Sequence, residues 1–146
     1  MKVSCLQENL AKGLSIVSRA VSTRSTLPVL ANVLMATDNG RLKLSATNLE
    51  VVITCWIGAK VEEEGAITVP ARTLNDLVGQ LAQEQVYMTL DEPTQTLHIT
   101  CAKTDSNING LDAQEFPLVP EPDRENRTRV EADVFKQMIN QVAFAA

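Results

Sequence analysis

Three stretches of this sequence repeat one pattern: a short apolar strand, a turn, then a helix whose first core positions step by four and then by three. The positions are Leu10, Leu14, Val17; then Leu74, Val78, Leu81; then Phe135, Ile139, Val142. Steps of four and three return to the same side of a 3.6-residue helix, so each trio forms one stripe that needs covering. Each stripe follows a strand-like run at a matching distance, ending in Val3-Ser4-Cys5, Ile67-Thr68-Val69 and Thr128-Arg129-Val130. Copies one and two are each followed by further strand-like runs, whereas the third stops inside its helix. A repeat is a unit that buries its apolar face against a neighbour. The expectation is therefore two complete β-α-β-β-β units plus the opening of a third, as a piece of a longer protein.

Along the first copy, residues 1–6 read as a strand and 7–21 as a helix with Glu8 in its first turn, where the macrodipole favours a carboxylate. Residues 22–28 read as a polar loop. Strands over 33–37 and 41–46 flank Asp38-Asn39-Gly40, a hairpin signal because Asn and Gly tolerate positive φ. A third strand covers 51–59, with Val51, Ile53, Cys55 and Ile57 on one face. Glu62-Glu63-Glu64-Gly65 reads as a solvated linker, since consecutive loop carboxylates point in different directions. The second copy repeats the plan with a strand over 67–69, a helix over 71–81 and strands over 86–90, 97–101 and 106–110, with Asp91-Glu92-Pro93 turning the chain. Three prolines within 116–122 and a polar stretch over 123–128 mark an inter-domain linker. The division is 1–122 as a first domain, 123–128 as a linker and 129–146 as the start of a second.

The composition, 45% hydrophobic and 21% charged, is that of an ordinary globule of 146 residues. No apolar run has the length of a membrane span, and the first residues lead into a polar segment and not into a signal sequence. The expected location is the cytoplasm, with no membrane contact. Cys5, Cys55 and Cys101 lie far apart in alternating runs and read as small apolar residues of a reducing compartment. The one histidine, His98, sits on the strand face opposite Leu97, Ile99 and Cys101 and lacks a neighbouring nucleophile. Glycine-rich phosphate loops, zinc spacings and calcium loops are missing from the sequence. No catalytic residue, metal or cofactor is expected.

A net charge of −5 argues against nucleic-acid binding by default, because that binding rests on neutralising phosphates. Placement matters more than the total. With Leu10, Leu14 and Val17 inward, Lys12 and Arg19 fall almost opposite; the same wheel turns Arg72 and Asp76 outward, and Arg24 stands in the loop beyond the first helix. Such residues are by default solvated helix faces. Taken as functional, they form a thinly basic helical layer suited to weak phosphate contact and not to base readout.

Four motifs then carry a resemblance: Thr26-Leu27-Pro28-Val29-Leu30 followed by Asn32, Thr47-Asn48-Leu49-Glu50, Val69-Pro70-Ala71-Arg72, and Glu115-Phe116-Pro117. In their order and spacing, the whole chain resembles the amino-terminal part of the bacterial sliding clamps, the beta subunits of the replicative DNA polymerase. The resemblance implies an α+β DNA clamp fold, with helices on the inner face and sheets on the outer face. It implies a head-to-tail homodimeric ring of three-domain subunits around double-stranded DNA, a non-catalytic processivity factor that serves the polymerase and the clamp loader. The family's DNA-contacting arginines fall on Arg24 and Arg72. Three positions depart from the family pattern: Asn48 stands where Asp is common, Asp112 where Pro is common, and Ser106 where the strand meeting the partner subunit commonly carries an aromatic. Two other functions stay open on the residues alone, an interaction module of this fold that binds no DNA, and a small hydrolase or deaminase using His98 or a cysteine in a cleft.

Overall fold

The computed structural model describes residues 1–24, 26–119 and 128–146. In chain order the regular elements are β1 (Lys2–Leu6), α1 (Gln7–Val17), β2 (Asn32–Asp38), β3 (Arg41–Thr47), β4 (Val52–Gly58), β5 (Lys60–Glu63), β6 (Ala66–Pro70), α2 (Ala71–Gln80), β7 (Gln85–Asp91), β8 (Thr96–Cys101), β9 (Thr104–Asn109), β10 (Leu111–Asp112) and α3 (Ala132–Val142). The strands form two antiparallel sheets, ordered β5-β1-β7-β8-β9 and β10-β6-β2-β3-β4.

The two units exchange their first strands. β1 pairs with β7 of the second unit, Val3 opposite Met88, while β6 pairs with β2 of the first, Val69 opposite Val33. Mapping each element of the first unit onto its counterpart in the second turns one strand order into the other, so the topology has approximate twofold symmetry. Both helices cover the one core that the two sheets share. Leu10, Leu14, Val17, Leu74 and Val78 are at most 1% exposed and Leu81 is 6% exposed, as the repeated stripe requires. Burying side chains of this size is worth about 1.5–3 kcal/mol each. Polar bonds pin the helices together: Gln7 Nε2 donates to the Val78 carbonyl at 2.8 Å, and Asn75 Nδ2 donates to Ser18 Oγ at 2.6 Å.

Local geometry follows the expected signals at the first hairpin, where Asn39 and Gly40 adopt φ of 50° and 75°. Elsewhere the structure corrects them. The first helix ends at Val17 and not at residue 21; Ser18–Ala20 tighten into a 3-10 turn, and the Ser22 amide leaves to bond the Leu30 carbonyl at 2.9 Å. Val51 precedes β4 and is 51% exposed, so only Ile53, Cys55 and Ile57 of the expected face pack inward. The acidic run is no simple linker, because Lys60–Glu63 is an edge strand on β1 with Val61 opposite Val3. Glu62 bonds Lys2 at 3.0 Å and lies 3.6 Å from Lys60. That Lys2 hydrogen bond is the main reason the Glu62 carboxyl is held below its ordinary value and the Lys2 ammonium is raised above its own.

The motifs behind the resemblance are packing and turn devices. Val29 and Leu30 of the first meet Phe116 of the last in a second small apolar cluster. Asn32 donates to Thr68 Oγ1 at 3.1 Å, and that hydroxyl donates to the Leu111 carbonyl at 3.1 Å, so β2, β6 and β10 are stitched through buried side chains. In the β3–β4 loop, Asn48 Oδ1 accepts from the amides of Glu50 and Val51 at 3.0 and 2.8 Å, while Leu49 is held at φ 76°. Asn offers there the acceptor that Asp would. Asp112 likewise accepts from the Gln114 amide at 2.8 Å.

The third copy differs. Residues 128–130 are not a strand and pair with no described strand, because a lone extended segment has no ladder to join. In α3 the stripe is open to solvent, with Phe135 53%, Ile139 46% and Val142 65% exposed. Of the expected linker, residues 123–127 lie outside the described residues.

Candidate nucleic-acid interface

Arg72 is the second residue of α2, whose start is set by Pro70, the last residue of β6; Ala71 turns into the core at 3% exposure and Arg72 turns out. Its side chain is 94% exposed, and its Nε stands 3.9 Å from Oδ2 of Asp76, one turn later. Arg24 is exposed in the segment that follows the 3-10 turn. Lys12 and Arg19 are exposed as the helical wheel requires.

A depression of about 330 Å³ lies between the end of the first helical segment and α2, lined by Ser18, Val21, Thr23, Ala71, Arg72, Asn75 and Asp76. Thr23 adjoins Arg24, so the structure brings the segment carrying one arginine to the helix carrying the other. Sequence reasoning missed Ser18, Thr23 and Asn75, since a loop meeting a helix some fifty residues on leaves no periodic signal. Across α1, residues 18–24 and α2, the charged side chains are Lys12, Arg19, Arg24 and Arg72 against Glu8 and Asp76, a cationic excess in a chain of net −5. Spread over two helices and a loop, such cations can touch phosphates without matching base edges.

The residues a hydrolase would need are not brought together. His98 is exposed on β8, between Thr89 on β7 and Asn107 on β9, on the outer face of a sheet. Cys5 and Cys101 are buried; burial pushes the Cys5 thiol up to about 12, away from nucleophile activation. Cys55 is half-buried and lines a groove of about 250 Å³ between α1 and β4, with Lys12 and Trp56 but without a histidine. Among the described residues no three of His, Cys, Asp and Glu group as metal ligands, and no helix is long and apolar enough to cross a membrane.

Residues 1–120 match the model of the family described as DNA polymerase III beta subunit, N-terminal domain. Curated relatives include the beta sliding clamp of Synechocystis sp., 41% identical over 127 residues, which cover 82% of this chain and 32% of the relative. That of Synechococcus elongatus is 42% identical over 122 residues, with the same coverage. Similar solved structures include pol III beta of Caulobacter crescentus (TM-score 0.87, 30% identity, 96% of this chain and 38% of that one). The DNA polymerase III subunit beta of Pseudomonas aeruginosa is another (TM-score 0.76, 33% identity, 84% and 33%). The chain spans about a third of the length of the curated relatives it matches.

Proposed function

Because this chain belongs to the DNA polymerase III beta subunit N-terminal domain family, we propose that it is the first domain of a sliding clamp, a processivity factor that encircles duplex DNA and tethers the replicative polymerase. Residues 1–122 form that domain, 123–128 the linker, and 129–146 open the second domain, whose remaining strands would cover the exposed stripe of α3. The observation that carries the reading is the segregation of charge: cations predominate over carboxylates on the helical layer of a chain that is acidic as a whole. In this reading Arg24 and Arg72 touch phosphates weakly and without regard to sequence, which orients the duplex and still lets it slide.

The clamp carries out no chemistry. It works in the cytoplasm as a head-to-tail homodimer, with the clamp loader and polymerase bound elsewhere on the full subunit. Both sheets end in strands with one unpaired side among the described residues, β4 and β9, which suits edge-to-edge extension by neighbouring domains. Ser106 lies on β9.

The test is the double substitution Arg24→Ala, Arg72→Ala in the intact subunit, followed by loading onto circular DNA and measurement of retention. Loss of retention with an unchanged melting temperature is expected, since outward surface substitutions usually move stability by within about 0.5 kcal/mol. Retention equal to the parent's would favour an interaction module whose helical face binds no DNA.

A further inference from the structure

Arg72 does not meet solvent alone. Asp76 Oδ2 is 3.9 Å from its Nε, and both side chains are largely exposed, at 94% and 68%. Exposed pairs of this kind add little to stability, so holding the helix together is a poor account of Asp76. The same carboxylate lines the depression shared with Thr23 and so stands beside the segment that carries Arg24. Within the described residues Arg72 is its one charged partner.

We propose that Asp76 is a built-in competitor for DNA phosphates, which keeps contact at this face weak and hands Arg72 from one phosphate to the next. The inference rests on the DNA-facing reading of Arg24 and Arg72. A guanidinium has five N–H donors, and Asp76 faces its Nε side, which leaves the terminal nitrogens free for a phosphate oxygen. Asp76 therefore does not block the contact; it subtracts from it. Its charge lies within a Debye length, about 10 Å in 0.1 M salt, of any phosphate that Arg72 holds. When the duplex moves and the phosphate leaves, Arg72 falls back on the carboxylate and does not wait unpaired. Weakening the bound state and stabilising the state between phosphates both lower the barrier to sliding.

The experiment titrates the chain with a short blunt DNA duplex in low-salt buffer and follows backbone amide shifts by NMR. Shifts are expected at residues 23–24 and 71–76, and should be lost in Arg24→Ala, Arg72→Ala. Asp76→Asn should bind roughly threefold tighter, the effect of removing one unit charge some 7 Å from a phosphate in water, with the gap closing as salt rises. Glu50→Gln removes an exposed carboxylate from the β3–β4 loop and should leave affinity unchanged. If Asp76→Asn binds like the parent while the double arginine variant loses binding, the Asp76 inference falls and the DNA-facing reading stands. An equal gain from Glu50→Gln would reduce the effect to net charge and also overturn it. Without shifts on the helical face of the parent, the DNA-facing reading falls and takes Asp76 with it.

Discussion

Alanine at Gly13 and alanine at Gly79 should change stability in opposite directions, although both glycines lie in helices of the repeated unit. Replacing a helical glycine by alanine gains about 1 kcal/mol of helix propensity when the new methyl meets nothing. At Gly79, on the exposed side of α2, an added Cβ has no atom within 4 Å, so the gain should be realised and Gly79→Ala should stabilise by about 0.5–1 kcal/mol. At Gly13, buried in α1, the same Cβ would lie 2.8 Å from Leu44 Cδ1 and 2.9 Å from Ile57 Cγ2. Leu44 is fully buried and has little room to give, whereas Ile57 borders the groove between α1 and β4 and can yield part of the way. Overpacking of this kind costs about 1–3 kcal/mol. Set against the propensity gain, the net for Gly13→Ala is a loss of up to about 2 kcal/mol. With an unfolding entropy near 2.1 cal/mol/K per residue over roughly 120 folded residues, that loss lowers the melting temperature by up to about 8 °C. Thermal and urea unfolding can be followed through Trp56, the single tryptophan. A Gly13→Ala variant as stable as Gly79→Ala would mean that α1 does not approach the sheet this closely, and the account of the core would need revision.

Equivalent positions of the first and third stripes should behave unequally: Leu14→Ala should cost about 2–5 kcal/mol, whereas Ile139→Ala in this chain should change urea stability by within about 0.5 kcal/mol. Asn48→Ala removes two turn hydrogen bonds and should cost about 1–2 kcal/mol, while Asn48→Asp keeps the acceptor and should leave the urea midpoint almost unmoved. The fold favours the neutral Cys5 thiol, so the unfolded chain loses that proton first. Its contribution is intact below the ordinary value of 9.0 and is lost as pH rises toward about 12, by up to about 1.4 kcal/mol per pH unit; Cys5→Ala should flatten the alkaline fall in stability seen in the parent.

Much of the fold was legible because it rests on periodicity. The stripes at Leu10 and Leu74 and the Asn39-Gly40 turn are local patterns, and each has its expected burial or backbone angle. Pairing between strands is not local. Nothing in a run such as Val3-Ser4-Cys5 says that its neighbour begins at Gln85 and not at Asn32, so the exchange of first strands was invisible. β5 was missed for a different reason: its carboxylates argue for solvent, and at a sheet edge they can be solvated and still belong to a strand. For the candidate site, outward placement of Arg24 and Arg72 could be read from the wheel and the loop. Their approach through Thr23 could not, because it depends on where the 3-10 turn sends the chain.

The exchanged strands also set a clock for synthesis. β1 leaves the ribosome well before its central partner β7, which begins at Gln85. At roughly 5–20 residues per second the wait is on the order of 4–17 s. β5 arrives earlier, but a two-stranded ribbon is only marginally stable in water. Throughout that interval Val3 and Cys5, later 2% exposed, have no completed sheet to enter. The nascent chain thus carries these residues without their final partner until β7 emerges, and translational pausing before residue 85 should lengthen that interval.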